Sequence, residues 1–241
     1  MLRSAIVLVG GKGSRFSNIK SPPKHLAKIG GETIISRIIN LLAKNNIEEI
    51  IFPLGYKKKF YYKFFKSKKN QKKYNFTTQK KKIPNKINIK LFDAGLKSTK
   101  LIRIFKSIKY LENEDFLVTY GDGLADINIL KLNQIYIKNN KQKALISTLK
   151  KRSQYGHIVI DKNKNVKKFV EKPLLFDPIN IGYFIFNKKI FRYFFNKKYE
   201  LEKEFLYNLI KKKLLKSFEH KGYFYSIDDK KDLLIAEKKL I

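Results

Sequence analysis

A glycine-rich segment at residues 10–16, Gly-Gly-Lys-Gly-Ser-Arg-Phe, directly follows the apolar run at residues 5–9. A strand that ends in glycines can present bare backbone N–H groups to an anionic ligand, and this geometry suits a polyphosphate. Arg15 adds a fork of donors that matches phosphate oxygens, and Lys24, which follows two prolines, offers a second cation. An ordinary turn between a strand and a helix would show the same pattern, so the segment alone leaves both interpretations open.

Two well-known phosphate-binding motifs differ from this segment. The dinucleotide fingerprint requires a third glycine where Phe16 stands. The phosphate loop of nucleoside triphosphatases ends in Gly-Lys-Ser or Gly-Lys-Thr, whereas Lys12 lies between two glycines. A phosphate site here must therefore be of another type.

Two aspartates follow predicted strands and could hold a metal ion. Asp122 comes after the strand at 116–120, and Asp228 comes after the strand at 223–227. Ligands of parallel sheets bind at the carboxyl ends of strands, and two carboxylates facing a phosphate loop would hold a divalent cation such as Mg²⁺. Asp122 could instead be a turn aspartate between glycines, and Asp228 the N-cap of a helix at 229–239.

The tripeptide Glu171-Lys172-Pro173 ends a predicted hairpin strand and is a third candidate. It offers one acceptor and one cation, which suits a ligand with hydroxyls and a phosphate, such as a sugar phosphate. A surface charge pair before a turn is the alternative. The three histidines, at 25, 157 and 220, lack metal-ligand spacing, and we assign them no role.

Lysine dominates the charge of the chain. There are 54 basic and 20 acidic residues, a formal net charge of +34, and only six of the basic residues are arginines. Proteins that read nucleic acids use arginine and clustered basic patches interleaved with aromatics. Because lysine, asparagine and isoleucine are all abundant, we attribute the charge to coding bias rather than to dedicated nucleic-acid binding, although non-specific attraction to polyanions at low salt is expected. The lack of cysteine excludes disulfides and cysteine metal sites.

The elements that must position these residues alternate between strands and helices. The first half is predicted to have strands at 5–9, 49–55, 87–93, 116–120 and 144–150, and helices at 33–43, 56–65, 98–111 and 127–138. Such alternation predicts crossover units and a mainly parallel sheet, hence an α/β, doubly wound fold. The second half is predicted to be mixed, with strands at 158–161, 166–170, 181–186 and 223–227 and a helix at 201–215.

Two further segments carry expectations about order and packing. Residues 66–85 are rich in lysine and asparagine and poor in apolar residues, so we expect a mobile excursion there. The aromatic patches at 61–65 and 191–195 are expected to be core rather than interface.

Taken together, these fragments resemble the sugar-1-phosphate nucleotidyltransferases. The motifs that carry the resemblance, in family order, are Gly10–Phe16, Pro23-Lys24-His25-Leu26, Gly30-Gly31, Asp93-Ala94-Gly95, Tyr120–Asp126, Glu171-Lys172-Pro173, Ile179–Phe184 and Ile227-Asp228. The chain is most similar to the glucose-1-phosphate cytidylyltransferase branch. The run Thr-Tyr-Gly-Asp-Gly-x-Ala-Asp at 119–126 is typical of that branch. It departs from the family at residues 98–101 and at His25, where proline is usual.

The resemblance implies a Rossmann-like, glycosyltransferase-A-type fold in a single domain. Residues 1–150 would be the nucleotide-binding half, and residues 151–241 a small, β-rich half that binds the sugar phosphate. The implied reaction joins a nucleoside triphosphate, CTP, to a sugar 1-phosphate, glucose 1-phosphate, and releases pyrophosphate with Mg²⁺ as cofactor.

The resemblance also implies a role for individual residues. Arg15 and Lys24 would be catalytic, and Asp122 and Asp228 would hold Mg²⁺. The implied nucleotide-binding residues are Leu8, Gly10, Gly11, Gly13, Ser14, Arg15 and Gly121. The implied residues for the sugar phosphate are Glu171, Lys172, Asn180 and Gly182.

Alternatives to this function remain open at the level of sequence. Another acceptor (heptose 1-phosphate or phosphocholine) or another base (GTP or dTTP) would fit the same motifs, and a lysine-rich nucleic-acid-binding protein is the alternative that is not an enzyme. We expect a cytoplasmic protein without membrane insertion, because the N-terminal apolar run is too short to cross a bilayer. Relatives form symmetric assemblies and supply precursors of surface polysaccharides such as lipopolysaccharide O-antigen, so we expect a homo-oligomer in such a pathway.

Overall fold

A computed structural model describes residues 2–11, 16, 21–76, 87–139 and 144–241 of the chain. The strands are β1 (Ser4–Leu8), β2 (Lys28–Ile29), β3 (Glu32–Thr33), β4 (Glu49–Leu54), β5 (Asn75–Phe76), β6 (Asn88–Asp93), β7 (Asp115–Tyr120), β8 (Gly123–Ala125), β9 (Ala144–Leu149), β10 (His157–Ile160), β11 (Val166–Val170), β12 (Ile179–Asn187), β13 (Leu215–His220) and β14 (Phe224–Ser226). The α-helices are α1 (Ile34–Lys44), α2 (Lys58–Lys66), α3 (Lys68–Lys73), α4 (Lys100–Ser107), α5 (Ile129–Lys138), α6 (Lys188–Phe194), α7 (Leu206–Lys211) and α8 (Lys230–Leu240). None of the helices in these ranges combines the length and apolar character needed to cross a bilayer.

The main sheet has eight strands in the order β13-β9-β12-β7-β1-β4-β6-β5. All of its pairs are parallel except those of β12, which runs antiparallel to both β7 and β9. Strands from both halves of the sequence therefore share one sheet, and the predicted α/β fold with a mainly parallel, mixed sheet is confirmed.

The direction in which the chain winds reverses next to β1. β4 and β6 follow on one side of β1, whereas β7 pairs with its other side. In open α/β sheets the connections diverge at such a switch point, and they leave a crevice at the carboxyl ends of the two strands. This crevice lies between the residues that follow β1 and those that follow β7.

Both faces of the sheet are covered, which explains the unbroken apolar run of β1. Ala5 and Val7 belong to one buried cluster, and Ile6 and Leu8 belong to the other. Side chains of a strand alternate between its faces, so a strand buried on both sides is apolar at every position.

The segment that leads into α1 is fixed by a tight hairpin. Gly30 and Gly31 have φ angles of 55° and 79°, and they connect β2 to β3. Two successive positive φ angles are the requirement of a type I′ hairpin turn. Thr33 then begins α1, since its hydroxyl accepts a hydrogen bond from the Ser36 N–H at 3.2 Å.

The predicted helix at 201–215 is wrong only in its last four residues, 212–215. Residues Leu201–Phe205 form a π-helical turn, α7 ends at Lys211, and Leu215–His220 form strand β13 beside β9. Lys213 has a φ of 55°, a left-handed conformation that stops a helix. The lysine- and leucine-rich pattern favours a helix locally, but pairing with β9 decides the structure of this segment. Helix α6 was not predicted. Its Phe191 is buried, as expected for the 191–195 patch, but Tyr193 of the same patch is 80% exposed, so the core expectation fails for that residue.

The expectation of a mobile excursion at 66–85 is wrong for its first part. Helix α3 begins after Ser67, whose hydroxyl accepts the Asn70 N–H, and β5 then joins the edge of the sheet. The buried Asn70 side chain donates to the Phe64 carbonyl at 2.7 Å, and the buried Tyr74 ring packs against Phe65, so a polar and an apolar contact both anchor this segment. Residues 77–85 lie outside the described part of the chain.

Candidate active site

A cleft of about 430 Å³ opens at the carboxyl ends of β1 and β7, in the crevice described above. Leu8, Gly10 and Gly11 form its wall after β1. Gly10 has a φ of 101°, and a Cβ there would lie 2.7 Å from the Gly55 nitrogen, so only glycine fits. A Cβ on Gly11 would meet nothing within 4 Å. Of the other predicted residues of this segment, Gly13, Ser14 and Arg15 lie outside the described residues, and their roles stay predictions.

Lys24 lies between the two predicted metal-binding aspartates. Its ammonium is 2.6 Å from Asp122 Oδ2 and 3.0 Å from Asp228 Oδ1. Burial lowers the pKa of Lys24, but the two carboxylates outweigh that effect and the pKa ends above its usual value. Lys24 is therefore a cation at neutral pH, held at a point on which both carboxylates converge.

Backbone pairing brings the two aspartates together across 106 positions of sequence. Asp122 follows β7 after Gly121, and β8, which begins at the next residue, pairs antiparallel with β14. The pairing continues one step further, where the Ile227 N–H donates to the Asp122 carbonyl at 3.0 Å. Asp228, the next residue, is thereby placed beside Asp122.

The N-cap of α8 is Asp229 and not Asp228. The Asp229 carboxylate accepts from the Asp232 N–H, and Asp232 accepts in return, which makes a capping box. The alternative interpretation of Asp228 as a helix cap is therefore wrong. Its carboxylate is directed to Lys24 instead.

The donor set at this point is one that Mg²⁺ uses. Among the residues that the structure describes, no group of three or more His, Asp or Glu side chains could hold a metal. Mg²⁺ is commonly held by one or two carboxylates and completes its octahedron with substrate phosphates and water. Two convergent carboxylates that already hold a cation, the Lys24 ammonium, fit that requirement.

His25 lines the cleft, although no role was predicted for it. Its Nδ1 shares a hydrogen bond of 2.6 Å with the Tyr61 hydroxyl, and the ring lies beside Gly121. Burial lowers the pKa of His25 to about 4, with a smaller contribution from the Lys24 charge, so the ring is neutral at physiological pH.

Gly121, predicted to bind nucleotide, packs beneath the cleft. Its N–H donates to the Leu8 carbonyl at 3.0 Å, and a Cβ would lie 2.6 Å from Val9 and 2.9 Å from His25. Glycine at this position therefore lets β7 approach the cleft-lining residues of β1 and the ring of His25.

Arg103 is a second residue that the sequence analysis missed. It is 5% exposed and lies behind the glycine segment. Its guanidinium donates to five backbone carbonyl oxygens, those of Gly10, Pro53, Leu54, Gly95 and Ser98. It thus connects the segments at the carboxyl ends of β1, β4 and β6. The residue type was the one signal in the sequence that could have indicated this role. An arginine among so many lysines points to a site that needs the planar guanidinium.

The predicted sugar-side residues fall into two places. Gly182 has a φ of 80°, and a Cβ would lie 2.4 Å from the Tyr120 ring, which lines the cleft. The side-chain oxygen of Asn180 accepts from the Gly182 N–H at 2.8 Å. Asn180 and Gly182 therefore adjoin the cleft through Tyr120.

Glu171 and Lys172 are placed differently. They follow β11 on an exposed turn, each side chain is 60% exposed, and their charges lie 3.7 Å apart. They are not among the described residues that line the cleft. Their role in binding a sugar phosphate stays a prediction.

Comparisons with known proteins agree with this arrangement. A family model described as nucleotidyl transferase matches residues 4–231. A protein of Bacillus subtilis (strain 168), named probable glucose-1-phosphate cytidylyltransferase, is 33% identical over 242 residues, which are 97% of this chain and 94% of its own length. Glucose-1-phosphate cytidylyltransferase of Salmonella typhi is 28% identical over 246 residues, with the same two coverages of 97% and 94%.

Solved structures share the fold at lower identity. HddC from Yersinia pseudotuberculosis has a TM-score of 0.71 and 22% identity, with 100% of both chains covered. UDP-glucose pyrophosphorylase complexed with UDP-glucose has a TM-score of 0.73 and 20% identity, with 100% of this chain and 98% of its own covered. The resemblance carried by the motifs is confirmed, and the chain belongs to the nucleotidyl transferase family.

Proposed function

We propose that this protein transfers a cytidylyl group from CTP to glucose 1-phosphate and releases pyrophosphate, with Mg²⁺ as its cofactor. The observation that carries the proposal is the convergence of Asp122 and Asp228 on one cation at the switch point of the sheet. The choice of CTP and glucose is supported by the names of the Bacillus subtilis and Salmonella typhi relatives.

The chemistry is a displacement between two phosphates. An oxygen of the sugar phosphate attacks the α-phosphorus in line, the bond from that phosphorus to the bridging oxygen breaks, and pyrophosphate leaves. The attacking phosphate is already deprotonated at neutral pH, so a general base is unnecessary. Catalysis then consists of bringing two polyanions together and holding the developing charge.

The residues of the cleft suit that task. Lys24, a buried cation, would draw the two phosphates together, and Arg15 would hold the departing pyrophosphate. Asp122 and Asp228 would hold Mg²⁺, which supplies positive charge between the two phosphates when it is bound. The neutral ring of His25 adds no charge that would compete with this arrangement.

Further parts of the proposal concern the setting of the enzyme. We propose that it acts in the cytoplasm, where nucleoside triphosphates are supplied, and makes precursors of surface polysaccharides such as lipopolysaccharide O-antigen. We also propose a homo-oligomer. The apolar side chains of hairpin β10–β11, Ile158, Ile160, Val166 and Phe169, are each more than half exposed, and an isolated two-stranded hairpin is marginally stable in water.

A screen of pyrophosphate release tests the reaction. ATP, CTP, GTP, UTP and dTTP are each combined with a panel of sugar 1-phosphates, including heptose 1-phosphate, and with phosphocholine. We expect release with CTP and glucose 1-phosphate in the presence of Mg²⁺. Release with another pair would correct the base or the acceptor. The absence of release together with tight, steeply salt-dependent binding of DNA or RNA would favour the nucleic-acid-binding alternative.

Adjacent aspartates provide a matched test of the site. Asp122→Asn and Asp228→Asn should each lower kcat by about 100-fold or more, the cost of losing one group that stabilises transition-state charge. Asp229→Asn is the control, because asparagine caps a helix as well as aspartate and the Asp229 carboxylate bonds the Asp232 N–H. Near-normal turnover of Asp122→Asn at saturating Mg²⁺ would refute the assignment.

A further inference from the structure

A π-helical turn places an acidic residue at the wall of the cleft. In residues Leu201–Phe205 the Leu206 N–H donates to the Leu201 carbonyl, five residues back. Leu201 and Phe205 are fully buried and anchor the turn. Single π turns are rare and recur at functional sites. Glu202, between the two anchors, is the residue of this turn that bonds to residues lining the cleft.

Glu202 contacts two cleft-lining residues at once. Its Oε1 accepts a hydrogen bond from the Tyr120 hydroxyl at 2.5 Å, and the same oxygen pairs with the Lys100 ammonium. The Lys100 ammonium also lies 5.1 Å from the centre of the Tyr120 ring. One carboxylate therefore fixes a donor and a cation that come from two different elements, the end of β7 and the first turn of α4.

Tyr120 links this pair to the predicted sugar side. Its hydroxyl donates to Glu202, and Gly182, which packs against its ring, donates its N–H to the Asn180 side chain. Burial, with Glu202 as a further cause, raises the pKa of Tyr120, so the phenol stays protonated and can donate. The ring is confined on its other side by Gly182 and Phe184.

We propose that Glu202 is a positioning residue for the acceptor: through Tyr120 and Lys100 it presets the wall of the cleft that receives a sugar 1-phosphate. Asn180, held through Tyr120, then faces a sugar hydroxyl, and Lys100 offers its cation to the phosphate. The inference rests on the proposed function, since it assigns a residue to the acceptor half of that reaction.

Steady-state kinetics of four variants test the proposal. Glu202→Leu removes both contacts, and Tyr120→Phe removes the hydroxyl while keeping the ring. Each should raise the KM for the sugar 1-phosphate about tenfold, the order expected for a lost hydrogen bond to a charged group, and leave the KM for the nucleoside triphosphate within about twofold. The double variant should be no worse than either single one, because the two residues act as one unit. Glu202→Gln, which keeps an acceptor for Tyr120, should rescue part of the loss.

Glu204→Gln is the matched control. Glu204 lies on the same turn, is exposed, and accepts the Glu200 N–H at 2.8 Å, so its removal should leave both KM values unchanged. A thermal melt of each variant separates a loss of folding from a loss of positioning.

The outcomes separate the two proposals. If the unaltered protein turns over a sugar 1-phosphate but Tyr120→Phe and Glu202→Leu leave its KM unchanged, or raise both KM values equally, this inference is wrong and the proposed function stands. Additive losses in the double variant would overturn it as well. If the unaltered protein releases pyrophosphate with no pair of substrates, both proposals fail.

Discussion

Replacing Arg103 by methionine should cost a large part of the folding stability. The side chain is 5% exposed and donates five hydrogen bonds of 2.9 to 3.4 Å to backbone carbonyls. A hydrogen bond to a charged group contributes about 1.5–3 kcal/mol, and the long Gly10 contact contributes least. Methionine would remove all five bonds, but the carbonyls of Gly10, Leu54 and Gly95 keep backbone N–H donors, those of Tyr56, Ala94 and Ser98. We therefore count only about two to three of the five bonds in full and expect a loss of about 4–6 kcal/mol, against about 5–15 kcal/mol for a typical domain.

Urea unfolding monitored by circular dichroism measures this loss. Arg103→Lys should recover only part of it, because an ammonium has three donors where the guanidinium has five. The control is Arg3→Met. Arg3 pairs with Glu48 at 3.3 Å on the surface, with both side chains about half exposed, so its loss should cost under about 1 kcal/mol. A cost under about 1 kcal/mol for Arg103→Met as well would refute the structural role given to the guanidinium.

Two further predictions concern titration and capping. Below pH 6.5 the unfolded chain protonates His25, whereas the folded chain keeps the ring neutral until about pH 4. The contribution of His25 to the free energy of unfolding is therefore full above pH 6.5 and is lost as the pH falls to about 4. Folding stability of the unaltered protein should therefore fall by up to about 3 kcal/mol more over that range than that of His25→Gln, and equal slopes in urea titrations would contradict this. Asp229→Ala should cost about 1 kcal/mol of folding stability in the same assay, because it removes the cap of α8; an unchanged midpoint would show that the capping box is unimportant.

Sequence patterns located much of the fold and the centre of the cleft. The apolar run of β1 and the glycines after it predicted a strand that ends at the cleft, and the switch point put Asp122 opposite. The expectation from strand ends holds for Asp122 only, because β14 lies outside the main sheet and Asp228 reaches Asp122 through the antiparallel pairing of β14 with β8. Local periodicity and turn residues carry this information because strand ends and glycine turns are set within a few residues of sequence.

Other features depend on contacts that local sequence does not encode. The partners of Arg103 are backbone carbonyls from three separate chain segments, and no residue type marks a carbonyl. Glu202 reaches Tyr120 only because a π turn shifts its position relative to Leu201. Strand β13 was not predicted, since only its first residue, Leu215, lies in a predicted element, and it forms by pairing with β9 at the edge of the sheet.

The excursion that carries hairpin β10–β11 leaves the sheet at Leu149 and returns at Ile179, and these two residues are paired partners on neighbouring strands. The distance between the two ends of the excursion is thus set by the sheet, whatever the intervening residues do. An insertion with fixed ends can change in length and content without shifting the strands around it. If Glu171 and Lys172, which follow the hairpin, contact the acceptor as the resemblance predicts, the excursion can be exchanged as a unit: recognition of the sugar can diverge, or be transplanted between relatives, while the carboxylates and Lys24 keep their positions.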